Sequence, residues 1–315
     1  MVPLVLVRGV LAVGAAGLAV AAESALRRRR PSTRYGRYAD WVHPGGPSAL
    51  PANMLANSRL ARALCEPLPV AAMASTIVDV VYVNYLAPAH ELAPLVPRGL
   101  EIQRVGAEHD RAVLSFLTYR HGHLGPARLE RFRRFLPSPV QSNWRVYVTD
   151  PRTGRRGVYF VSTAVNQIAY ALGGRLLCEG LPMHLLRQAS VGTRDGGRRV
   201  DLHLDPGTGS GPDADGEFLV ADNPGTGPWR PAFASYPQML AYVVPQDRAL
   251  SVQPWHHRVT RQEITVDISS EGCVPLVGAV RSRYAQALVG DLEPFSFLVR
   301  HVDFRFDREV REPDR

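Results

Sequence analysis

At 315 residues, with 45% hydrophobic and 21% charged side chains, the chain is long enough to bury a full core as one large domain or two small ones. All 37 basic side chains are arginines, which excludes a lysine nucleophile or Schiff base, a P-loop, a protein-kinase site and a pyridoxal phosphate anchor. Seven arginines against Glu23 in residues 1–38 carry +6 of the net charge of +8, so the body is close to neutral and no nucleic-acid-binding surface is implied.

Val2 to Ala22 is apolar apart from Arg8 and stops against Glu23 and the arginines Arg27 to Arg30. Three readings fit residues 1–30. A secretory signal peptide matches the Ala19-Val20-Ala21 pattern, although four arginines just past the cut oppose translocation. A signal anchor puts the arginines on the cytoplasmic side, leaving a cytoplasmic body held at the inner face of the membrane through residues 2–22. The third is a start codon called too early, since Met54 and Met73 both precede the folded-looking region. Residues 31–74 begin with a mixture of Pro, Gly and Ser without a period and are expected to form a linker or arm.

The folded domain is expected over residues 75–315. Ile77 to Tyr85 is a β-branched and aromatic run of strand length, Ala89 to Leu95 a short helix-like piece, and Ala112 to Tyr119 a second strand. Arg128 to Arg134, in RLERFRRF, reads as a solvated helix face. The clearest unit is a hairpin. Asn143 to Thr149 alternates, with Trp144, Val146 and Val148 on one face and Asn143, Arg145 and Tyr147 on the other; Asp150 to Gly154 is turn chemistry, and Gly157 to Val165 returns. Residues 191–216 are polar and rich in Gly and Asp, which predicts a solvent loop. Strands are expected at Glu217 to Ala221, Gln262 to Ile268 and Phe297 to Phe306, with an amphipathic helix within Leu276 to Leu288. The sum is an α+β, mainly antiparallel β fold with a few helices, closed or half closed as a barrel. Cys65, Cys178 and Cys273 have neither disulfide nor zinc spacing and suit core positions in a reducing compartment.

Several short motifs in fixed order carry a family likeness. Val83-Asn84-Tyr85, Pro97 to Glu101, Asn143 to Val148 and Gly157 to Phe160, then Arg175, Gly180 to Met183, Tyr236 and Pro254-Trp255, resemble the YqjF-like family of unknown function, within the acetoacetate decarboxylase-like superfamily. The likeness covers roughly residues 76–305. It implies a conical antiparallel β-barrel around a pocket for a small, often acidic molecule. Acetoacetate decarboxylases proper use a pocket lysine to form an imine, and that chemistry is excluded here. Gln141-Ser142 also stands where relatives often carry an acid.

Arg145 is the leading candidate for an anion clamp, since a guanidinium grips carboxylate through two hydrogen bonds; the alternative is a structural ion pair or a solvated face. Tyr147, Glu101 and Glu179 are candidate proton carriers, the glutamates only if buried beside Arg145, because burial raises a carboxyl pKa. Asn84, Asn143, Tyr159 and His184 are candidate ligand contacts. His121-Gly122-His123 and His256-His257 have no neighbouring acid or thiol to complete a metal site, and no metal or cofactor is expected. The functions in play are a pocket protein for a small carboxylate or carbonyl compound, either a non-imine enzyme or a degenerate relative that only binds; a membrane-associated binding or carrier protein for an apolar ligand; and a structural or interaction module whose barrel is filled by its own side chains. The oligomeric state is open, a homo-oligomer included.

Overall fold

The apolar run around Ile77 becomes a 16-residue strand because it is buried on both faces, a pattern that favours an unbroken hydrophobic string over alternation. The computed structural model describes residues 17–25, 42, 45, 49–65, 67–68, 70–178, 181–225, 227–245, 247–252, 259–266, 268 and 272–311. Its strands are β1 (Met73–Pro88), β2 (Glu101–Ile102), β3 (Arg111–Pro126), β4 (Val140–Asp150), β5 (Arg155–Val165), β6 (Met183–Leu185), β7 (Gln188–Arg194), β8 (Arg199–Asp205), β9 (Ala214–Val220), β10 (Arg248–Val252), β11 (Val259–Val266), β12 (Cys273–Arg281) and β13 (Phe295–Arg311).

β1, β3, β4, β5, β10, β11 and β13 pair in turn, and β13 returns to β1, so this part of the sheet closes in a ring. All pairings in the ring are antiparallel except β5 with β10. Bulges between Val78 and Val81, where Asp79 has φ 52°, and between Trp144 and Arg145 bend the strands. β13 is long enough to fork the sheet. Its first residues pair with β12, and from there a wing of β12, β9, β8 and β7 folds over the outside of the ring.

Two cores result. Outside the ring, Val81, Val83, Phe116, Trp144 and Val146 pack against Val191, Leu202, Leu204 and Phe218 of the wing. Inside it, Tyr82, Leu117, Tyr119, Tyr147, Phe160 and Phe297 pack against Met239, Leu240 and Val243. The last three belong to a helix, Tyr236–Val243, that plugs one end of the ring, its start capped by Ser235, whose Oγ accepts from the Gln238 amide at 3.3 Å. A second helix, Ile168–Leu177, crosses the other end and is pinned by the Tyr170 hydroxyl, which donates to the Leu124 carbonyl at 2.6 Å.

One expectation is corrected and two are made specific. Residues 191–216 are largely sheet: Val200, Leu202 and Leu204 of β8 are buried while Arg199, Asp201, His203 and Asp205 alternate outward, a period of two overlooked among the glycines. Leu276 to Leu288 divides into the end of β12 and a helix, Arg283–Val289, with Ser282 as its cap. Within residues 31–74, Ala49–Ala56 and Arg59–Cys65 are helices docked on Ile168–Leu177. There, Arg175 Nε donates to the Ala56 carbonyl at 2.8 Å, and Arg62 donates to the Arg175 carbonyl. Residues 17–25 are also helical, and the Glu23 carboxylate caps Arg59–Cys65 by accepting from the Arg59 amide at 2.8 Å and the Ser58 hydroxyl at 2.6 Å. No helix among the described residues is long and apolar enough to cross a membrane; residues 2–16 lie outside them.

Candidate functional site

Alternation along two paired ring strands decides which side chains face inward. β3 and β4 pair Leu117 with Asn143 and Tyr119 with Gln141, so these residues share the inner face, and His121 follows Tyr119 by two. The plug fills one end of the interior, and the other holds a cavity of about 320 Å³. Its walls include Ile77, Val80, Phe160, Met183, Val302 and Phe304, with Gly173, Gly174 and Leu177 of the crossing helix above. No acidic residue or arginine lines it among the described residues.

One wall carries a chain of hydrogen bonds whose direction can be read. The Gln141 amide nitrogen donates to Asn143 Oδ1 at 2.9 Å, so Gln141 Oε1 faces His121 Nε2 at 3.1 Å, and that nitrogen bears the imidazole proton. His121 Nδ1 therefore accepts from the Ser75 hydroxyl at 2.5 Å. At the far end, Asn143 Nδ2 donates to the Tyr119 hydroxyl oxygen at 2.9 Å. Ser75 and His121 each spend their one proton on the next member, Gln141 and Asn143 each spend one of their two amide protons, and the Tyr119 phenol proton has no acceptor among the described residues. Burial pulls the His121 pKa from 6.5 down to about 4, against the smaller opposing pull of Gln141, so the ring stays neutral. Burial likewise raises the Tyr119 phenol, keeping it a donor.

Arg145 and Tyr147 come together, but behind this wall. Arg145 donates to the Val243 carbonyl at 2.9 Å and to the Tyr147 hydroxyl at 3.3 Å, and Tyr147 donates to the same carbonyl at 2.7 Å. Val243 ends the plug helix, whose partial negative charge suits a guanidinium. The guanidinium carbon is 5.6 Å from the ring centre of Tyr82, and Tyr82 lines the cavity while Arg145 does not. Asn84 is buried beside them, accepting from Ser115 at 2.8 Å and donating to the Phe295 carbonyl at 3.1 Å.

The other expected site residues disperse. Glu101 is exposed on β2, away from the burial its proton-carrying role requires. Tyr159 is buried in the outer core, and half-buried His184 faces the Ser210 hydroxyl at 3.4 Å. Of the candidates among the described residues, Asn143 alone lines the cavity. Glu179, Pro254-Trp255 and His256-His257 lie outside the described residues. His121 belongs to the wall, while exposed His123 donates from Nδ1 to the Leu136 carbonyl at 3.0 Å. Tyr119 was not among the expected site residues; His121 was read only as part of an incomplete metal pair and Gln141 only as standing in place of an acid, although stepping back by two from Asn143 puts Gln141 on the same face.

The ring-like, mostly antiparallel sheet matches the fold of acetoacetate decarboxylase-like proteins. The acetoacetate decarboxylase of Legionella pneumophila superposes with a TM-score of 0.55 at 13% identity, over 78% of this chain and 89% of its own. The enduracididine biosynthesis enzyme MppR complexed with pyruvate gives 0.52 at 16% identity, over 77% and 90%. An acetoacetate decarboxylase-like enzyme from Sphingomonas wittichii gives 0.51 at 11%, over 78% and 94%. In sequence, residues 75–272 match DUF2071, described as an uncharacterized conserved protein, and the chain belongs to that family. No curated protein matches the chain in sequence.

Proposed function

We propose that the chain binds a small, uncharged, mostly apolar molecule that presents one carbonyl oxygen to Tyr119. The carrying observation is the hydrogen-bond chain from Ser75 to Asn143, which leaves the Tyr119 phenol proton unspent, beside the second amide protons of Gln141 and Asn143, at a mostly apolar cavity that Tyr170, Cys178 and Gln262 also line. A carbonyl accepts that proton. A carboxylate would need a cation, and Arg145 is engaged with the plug helix behind Tyr82.

The neighbouring folds support a pocket for a carbonyl compound by analogy, since MppR was captured with pyruvate. This chain has no lysine for an imine, so a carbonyl group held here is bound and not activated that way. Of the functions weighed from the sequence, the apolar lining favours the carrier.

Titration calorimetry with methyl octyl ketone against nonanoate tests this reading. The ketone is expected to bind at least roughly a hundredfold more tightly, because a carboxylate would enter the cavity unpaired. Tighter binding of nonanoate would reject it.

A further inference from the structure

Between β3 and β4 the chain leaves the ring through two short turns, Ala127–Leu129 and Glu130–Arg133. Here Leu129, Phe132 and Phe135 are 47%, 64% and 72% exposed, which is unusual for a cluster of large apolar side chains. Arg128, Arg131 and Arg134 are exposed among them, and the Arg134 guanidinium carbon lies 4.8 Å from the Phe135 ring centre. Glu130 is the one acid in the segment, and no ion pair joins these arginines among the described residues.

The segment is held in place. Leu136 and the stem of Arg133 turn inward onto Gly125, and the His123 amide donates to the Ser138 hydroxyl at 3.1 Å. With Leu136 facing the body, the two phenylalanines face out.

Its position gives this surface a use. The Ala127 amide donates to the Ala72 carbonyl at 2.8 Å, and Pro126 pairs with Met73. Ala71, Met73 and Leu124 line the cavity, and Ala71 is exposed, so the mouth opens beside this segment. Leu177, also exposed and also lining the cavity, continues the apolar rim.

We propose that this surface docks on an anionic lipid bilayer. Leu129, Phe132 and Phe135 sit at the boundary between headgroups and acyl chains, and Arg128, Arg131 and Arg134 meet the lipid phosphates. The cavity mouth then faces the lipid, and an apolar ligand passes between bilayer and cavity without crossing water. The use assigned to the surface rests on the apolar-ligand reading above. Single-stranded nucleic acid also suits arginines mixed with aromatic rings, but it leaves the adjacent apolar opening without a purpose.

The test uses the full chain and sedimentation with vesicles of phosphatidylcholine, with and without phosphatidylglycerol. Binding to the anionic vesicles is expected to be at least about tenfold tighter than to neutral ones and to weaken with salt. Phe132→Ser with Phe135→Ser, and separately Arg128→Gln with Arg131→Gln and Arg134→Gln, are each expected to lose about tenfold. Thermal melts should be unchanged, since these side chains are exposed. Binding of methyl octyl ketone in solution should also be unchanged in both variants. Failure of the wild-type protein to take up ketone overturns the cavity reading and leaves the vesicle result standing. Docking is overturned if the wild type ignores anionic vesicles, if both variants sediment as it does, or if single-stranded RNA displaces the vesicles.

Discussion

Asn143 Nδ2 donates to the hydroxyl oxygen of Tyr119 at 2.9 Å, and this bond decides which way the Tyr119 proton is offered. Tyr119→Phe removes the offered proton and the acceptor of the Asn143 amide together. Stability is expected to fall by about 1–2 kcal/mol in urea denaturation, the cost of an orphaned buried donor. Affinity for methyl octyl ketone should fall about tenfold by calorimetry, one hydrogen bond's worth. A loss of stability with ketone affinity intact would make Tyr119 a structural residue only.

His121 sits neutral in the same chain, and its pKa of about 4 against 6.5 when exposed couples folding to pH. The unfolded chain takes up a proton near pH 6.5, whereas the folded chain resists until about pH 4. Its contribution is therefore complete above pH 6.5 and is lost as pH falls toward 4, by roughly 3 kcal/mol in all. Denaturation at a series of pH values should show a slope approaching about 1.4 kcal/mol per pH unit in that window. His121→Gln, which cannot titrate, should flatten it; an unchanged slope would place its origin elsewhere.

How much of this was legible in the sequence depends on how local each signal is. The β4–β5 hairpin was, because alternation and turn chemistry lie within a few residues: Trp144, Val146 and Val148 face the outer core as the pattern requires, and Gly154 takes φ 66° in the turn. Arg145 shows the limit. Alternation put it on the inner face correctly, but a carbonyl 98 residues away at Val243 decides what the guanidinium grips, and nothing near Arg145 announces it. The polar wall was hidden for the same reason, since Tyr119 and Gln141 meet only through the β3–β4 register. In β8, the glycine-rich surroundings masked a short period of two.

The ring closes where β5 meets β10, and there a single register pair, Val158 with Ala249, joins two parallel strands. Gly157 makes that approach possible. A Cβ at this position would stand 2.8 Å from the Arg248 carbonyl oxygen and 3.2 Å from Leu250 Cγ, and a backbone oxygen cannot rotate away as a flexible side chain would. Gly157→Ala must therefore push β10 outward at the seam, at an expected cost of about 1–3 kcal/mol. Gly173 is the matched control: it lies in the helix over the cavity with no atom within 4 Å of its would-be Cβ, so Gly173→Ala should gain up to about 1 kcal/mol from helix propensity. Thermal denaturation of the two variants side by side separates close strand approach from a general intolerance of added methyl groups. Equal midpoints for Gly157→Ala and the wild type would mean that the seam has slack and that ring closure does not depend on this glycine.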